Sequence, residues 1–163
     1  MMQQPVVATA NKNMKTLGQA FCKGKHQTLA RLRFLLSQVE KLTDEQFDYS
    51  RYVAKYNYKD QCVESGCAVG WLPTFLPAVF THRLVGTSFT VKMKDQPNAD
   101  TQRQVERFFG ITKDEYGYLF AGRDLVNAGG KTILRGVKDM KKVSKASFVK
   151  RLRNIMTLIE IEG

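Results

Sequence analysis

A mainly α, single-domain helical bundle, with at most a small β element near residues 84–93, is the fold the sequence predicts. Three observations lead to it. Leu29, Leu32, Leu35, Leu36, Val39 and Leu42 recur at helical spacing on one stripe, and Phe148, Leu152, Ile155 and Ile159 do the same near the C-terminus. Thr43-Asp44-Glu45-Gln46 and Thr112-Lys113-Asp114-Glu115 both have the spacing of a capping box. At 163 residues the chain fits one domain, and a domain of that size buries about 70% of the surface its unfolded form exposes.

Taken in order, residues 1–15 are polar and aperiodic and read as a mobile N-terminal tail, with residues 16–163 forming the single helical domain. The leucine stripe predicts a helix over about 27–42, with Arg31, Gln38 and Lys41 facing away from the core. Thr43 opens a short turn that holds Phe47. Tyr49, Tyr52 and Tyr56 then fall at i, i+3 and i+7, one face of a helix, with Arg51, Lys55 and Lys59 interleaved. Such tyrosines either stack bases or, more commonly, pack over a core with wet hydroxyls.

The stretch from Cys62 to Phe80 has one ionised residue, Glu64, and carries the only Trp. It reads as a short buried helix ended at Pro73, because proline disfavours helical geometry in the residue before it. Cys67, Gly70, Trp71 and Phe75 are its core positions, with glycine admitting close backbones and the indole filling volume. Residues 84–93 approach period two and suggest a short strand. Helices follow over about 99–109, stopped by Gly110, and 112–120. The glycine-rich stretch 121–136 reads as loop, with a turn of helix at 124–128, and a last helix spans about 145–161 behind Ser144 as N-cap.

Net charge is +11 and is unevenly placed. Residues 1–42 hold seven Lys/Arg against one acid, residues 43–130 ten against eleven, and residues 131–163 nine against three. A basic surface made by the two chain ends would attract nucleic acid or an acidic protein partner. Its candidate members are Lys131, Arg135, Lys138, Lys141, Lys142, Lys145, Lys150, Arg151 and Arg153, set against the alternative of a solvated helix face. Three cysteines, no apolar leader in the first residues and no long apolar run point to a reducing, cytoplasmic setting without a membrane span.

The motifs that would imply chemistry fall short. Cys22, His26, Cys62 and Cys67 could offer three sulfurs and one nitrogen to zinc, but the Cys62-x4-Cys67 gap is wider than the usual pair and Gly24 interrupts the first segment, so no metal or other cofactor is expected. On one helix Cys62 and Cys67 would point about 140° apart, which disfavours a disulfide. Gly129-Gly130-Lys131-Thr132 ends like a phosphate-binding loop, yet its first glycine would fall at Leu125. A Cys67–His82 pair lacks an orienting acid. Residues 99–120 have the outline of a helix-turn-helix, but the second helix would offer Asp114 and Glu115 to a negative groove.

Leu42-x4-Phe47-Asp48-x-Ser50, Cys62-x4-Cys67-x2-Gly70-Trp71 and Phe109-Gly110-Ile111-Thr112-x2-Glu115-x3-Leu119-Phe120 together resemble a group of small uncharacterised proteins from bacteria and their phages. Members of that group carry FDM-x-x-W, CGT-x-x-C-x-x-G-[WH] and FGL[ST]-x-x-E-x-x-x-LF segments. The resemblance covers residues 42–120, implies a compact helical fold and a phage or bacterial origin, and transfers no catalytic residue.

The function these observations favour is a non-enzymatic binding protein that engages nucleic acid through its basic chain ends, in the host-cell cytoplasm or the virion if phage-encoded. A protein-interaction module, such as a phage factor that inhibits a host protein or a minor virion component, is the alternative; an enzyme comes third.

Overall fold

A computed structural model describes residues 22, 24–49, 51–96, 98–121, 123–128, 131–136 and 144–162; for 123–128 and 131–136 it describes the backbone. Among these residues there are five α-helices, a short 3-10 helix (Asp44–Gln46) and three two-stranded antiparallel hairpins. The helices are α1 (Lys25–Val39), α2 (Ala68–Phe75), α3 (Thr101–Phe109), α4 (Lys113–Phe120) and α5 (Lys145–Glu162). The hairpins pair β1 (Lys55–Asn57) with β2 (Cys62–Ser65), β3 (Phe80–Val85) with β4 (Ser88–Met93), and β5 (Arg123–Ala128) with β6 (Lys131–Gly136).

This mixed α/β architecture corrects the expected helical bundle. The strand signal at 84–93 takes in β4 and only the end of β3 in a hairpin that spans 80–93, closed at Gly86 in the left-handed region (φ 63°). The glycine-rich stretch expected to be loop is the β5–β6 hairpin. The tyrosine spacing at 49–56 is not a helical face: Asn57 Oδ1 accepts the Asp60 N–H at 2.9 Å and folds the chain into the β1–β2 turn. The predicted tail, 1–15, lies outside the described residues.

The central stretch is also more divided than expected. Cys62 to Ser65 are strand; Cys67 is the N-cap of α2, and that helix continues through Pro73. Pro73 sits in the second turn, where it forgoes a single hydrogen bond to Val69. The proline rule acts at the next proline instead: Leu76, just before Pro77, leaves helical geometry (φ −133°, ψ 65°). Ala68, Val69, Leu72, Phe75 and Leu76 are all buried, so tertiary packing holds this two-turn helix together.

Side chains from α1 to α5 meet in one apolar cluster. Leu29, Leu32, Leu35 and Val39 of α1 and Phe148, Leu152 and Ile155 of α5 are buried there as their stripes require. Arg31 and Gln38, expected to face solvent, are buried as well, because α1 is covered both by α5 and by α3. The Arg31 guanidinium lies 4.4 Å from the Phe108 ring centroid and donates through Nη1 to the Phe108 carbonyl. Its Nε and Nη2, and Nε2 of Gln38, have no hydrogen-bond partner among the described residues.

The α3–α4 pair is held by local chemistry. Asp100 caps α3 by accepting the Arg103 N–H at 3.1 Å, Gly110 ends it at φ 71°, and Thr112 and Glu115 form the capping box of α4. Residues 116–120 of α4 are buried without a break, so it presents no reading face to a groove. Among the described residues no helix is long and apolar enough to cross a membrane.

Candidate nucleic-acid interface

Of the four cations of α5, three are engaged in the fold. Lys145 Nζ donates to the Leu42 carbonyl at 2.7 Å and to the Glu40 carbonyl at 3.3 Å, closing the end of α1, where a cation also suits the helix dipole. Arg153 Nη2 pairs with Glu40 Oε2 at 2.7 Å. Arg151 is 9% exposed, donates to the Tyr118 carbonyl at 2.8 Å and lies 4.8 Å from the Tyr118 ring centroid, so it is a packing residue and not part of a basic face. Lys150 is exposed. Lys131 and Arg135 lie on β6, opposite Ala128 and Asp124, and Lys138, Lys141 and Lys142 lie outside the described residues.

Cys67, Gly70, Trp71 and Phe75 are buried. Trp71 donates through Nε1 to the Gln46 carbonyl at 2.8 Å and stacks on Phe75 at 6.0 Å between centroids. The sulfur and imidazole set does not converge: Cys62 and His26 are exposed, Cys67 is buried, and Cys22 lies 3.3 Å from the Thr28 hydroxyl. Among the described residues no three His, Cys, Asp or Glu side chains could hold a metal ion together. Burial pushes the Cys67 thiol up to about 11, the range of an inert structural thiol. His82 makes its hydrogen bond elsewhere, its Nε2 lying 2.8 Å from the Gly70 carbonyl. A carbonyl only accepts, so Nε2 carries the proton; burial lowers the pKa and keeps the ring neutral.

What the fold does assemble is a ring cluster between the first two hairpins. Tyr56 of β1 lies 4.5 Å from Phe89 of β4, and Tyr58 of the β1–β2 turn meets Tyr56 at 5.1 Å and Phe89 at 6.2 Å. His82 of β3 stands edge-on to Tyr56 and Phe89 at 6.1 and 6.0 Å. The β3–β4 register puts Leu84 opposite Phe89 and His82 opposite Val91, so period two brings these side chains to one face. Tyr58 is 67% exposed, which is unusual for a ring in contact with two others.

A cleft of about 700 Å³ opens over this cluster, lined among others by Arg51, Lys55, Tyr56, Tyr58, Ser88 and Phe89. Lys55 is paired with Glu64 at 3.8 Å, an exposed contact of the kind worth at most about 1 kcal/mol and open to competition by another anion. Tyr52 anchors the floor, its hydroxyl accepting from Tyr116, and burial raises the pKa of both phenols. A larger groove of about 790 Å³ follows α3, but there Arg103, Arg107 and Lys113 alternate with Asp100 and Glu106, and among the described residues no ring lines it.

The sequence shows Tyr56, Arg51 and Lys55 as a possible base-stacking set, on the wrong secondary structure. Phe89, His82 and Tyr58 join them only through the two hairpins. The legible signals were the turn residues Asn57 and Asp60 between two short runs, and Gly86 at the centre of 80–93. No protein-family model matches the chain, no curated protein matches it, and no solved structure matches it.

Proposed function

We propose that the protein is a non-enzymatic nucleic-acid-binding protein of bacterial or phage origin that takes single-stranded segments into the cleft over Tyr56, Tyr58 and Phe89. Bases stack on the exposed face of Tyr58 and its neighbours, and Arg51 and Lys55 meet the backbone phosphates. Such a platform is sequence-tolerant, because every base has a π face, and each stacked base contributes about 1–3 kcal/mol. One observation carries the reading: an exposed tyrosine ring held at 5.1 Å from a second ring, in a cleft whose rim is cationic. The net charge of +11 adds long-range attraction for a polyanion.

Fluorescence anisotropy of a labelled short oligothymidylate at low salt tests it. Wild type is expected to bind, with affinity falling steeply as salt rises, and Tyr58→Ala to weaken binding roughly tenfold. Absence of binding at low salt, or unchanged affinity in Tyr58→Ala, refutes the proposal.

A further inference from the structure

The β3–β4 hairpin ends in an apolar tip beside the cleft. Leu84 is 51% and Val85 61% exposed, and they occupy the last two rungs of a ladder with six register pairs, opposite Phe89 and Ser88. Because Leu84 and Phe89 face each other across the strands, Leu84 continues the ring surface outward, while Val85, opposite Ser88, lies on the other face of the tip. Thr87, Ser88 and Phe89 line the same cleft as Tyr56 and Tyr58. Two large apolar residues next to each other in sequence at the end of a hairpin leave half or more of their surface exposed, and that surface is there to give to a ligand.

We infer that the tip is a wedge for a junction between single-stranded and duplex nucleic acid, with Leu84 and Val85 placed against the terminal base pair while the adjoining single strand lies on the rings. This rests on the proposed stacking function of the cleft and names its ligand more closely. Apolar side chains unstack base steps when they enter between them, and the energy cost is lowest at a duplex end. The occupant is chosen by charge: Arg51 and Lys55 line the cleft that Thr87, Ser88 and Phe89 share, no acid is among the described residues that line it, and the chain carries a net +11, so a polyanion is drawn to the cleft beside the tip. The ladder and the Tyr56–Phe89 contact tie the tip to the stacking rings.

Three probes are compared on the full chain: a single strand, a blunt duplex, and a fork in which the same single strand adjoins that duplex. Wild type is expected to bind the fork roughly tenfold tighter than the single strand, a difference of one decade in Kd. In Leu84→Ser/Val85→Ser that preference disappears while single-strand affinity stays, which also shows that the hairpin is folded. A 2-aminopurine at the first paired position should brighten when wild type binds, a readout that needs no variant. Equal affinity of wild type for fork and single strand, or an unaltered preference in the double variant, overturns the wedge and leaves the stacking function standing. Failure of the single strand to bind removes both. Binding to phosphatidylserine vesicles that depends on Leu84 and Val85, without fork preference, assigns the tip to lipid and overturns the inference.

Discussion

Gly70 and the carbonyl of Tyr52 occupy adjoining space so closely that a Cβ added to Gly70 would land on the Tyr52 oxygen. The same carbonyl blocks a Cβ at Gly66. The segment leading into β1 therefore lies directly on the first turn of α2, and this backbone-to-backbone contact helps fix where Tyr56 and Tyr58 stand relative to β3 and β4. The Gly70 carbonyl in turn accepts from His82. One glycine thus touches both the segment that leads into β1 and strand β3.

Gly70→Ala should accordingly be among the most damaging small substitutions in the chain. Backbone atoms cannot swing aside as a side-chain end can, so a loss of about 3 kcal/mol or more is expected. Gly86→Ala meets no atoms within 4 Å and suffers only the left-handed φ of 63°, a penalty of about 1 kcal/mol. Midpoints of urea unfolding for the two variants check the order.

Substitutions on α5 separate packing from binding. Arg151→Ala removes a buried side chain and leaves the Tyr118 carbonyl without that donor, at a cost of about 3 kcal/mol. Lys145→Ala uncaps the end of α1 and costs about 1 kcal/mol. Neither Lys145→Ala nor Arg153→Ala is expected to change oligonucleotide affinity by more than about twofold, since both cations already serve the α1 terminus. Parallel unfolding and anisotropy titrations measure both effects.

The three thiols should react unequally. Cys62 is exposed, whereas Cys67 is buried and its pKa stands at about 11 against an ordinary 9.0. Iodoacetamide at mildly alkaline pH is expected to label Cys62 in the native protein and spare Cys67, and urea should release all three; peptide mass spectrometry reads the sites. Because the folded state holds the Cys67 proton more tightly than the unfolded state, this group's contribution to stability is present below pH 9.0 and is lost as pH rises toward about 11.

His82 sets an opposite pH dependence. Burial holds its pKa below the ordinary 6.5, so the unfolded chain binds the proton more readily. Stability from this group is complete above about pH 6.5 and declines as pH falls below that value toward the folded pKa. Protonation does not remove the Nε2 donor to Gly70, so the loss comes from placing a charge in a partly buried, poorly solvated site. Urea midpoints measured on both sides of that value should drop toward acid in wild type, and drop less in His82→Gln.

How much of this was legible in the sequence depends on the range of the determining contact. The stripes of α1 and α5, the capping box of α4 and the role of Gly110 rest on neighbours within a few residues, and each was readable. The hairpins were harder. Tyr49, Tyr52 and Tyr56 have helical spacing by coincidence; their actual directions are set by Leu119, Tyr116 and Phe89, far along the chain. Pro73 looked like a stop because the local rule is sound, yet the helix ends at Leu76 under the same rule applied to Pro77. For Arg31 and Arg151, charge suggested solvent, while Phe108 and Tyr118 supply a ring and a carbonyl that periodicity does not reveal.

The central claim is that nucleic-acid bases stack on Tyr58, and a Tyr58→Trp variant reports on this directly. The native chain has one indole, Trp71, which is 5% exposed and supplies a silent background. Titration of Tyr58→Trp with oligothymidylate should quench the added indole to saturation and release it again as salt is raised, while wild-type emission stays level. Emission from Tyr58→Trp that is unmoved by oligonucleotide would contradict the account, whether or not the protein binds nucleic acid through another surface.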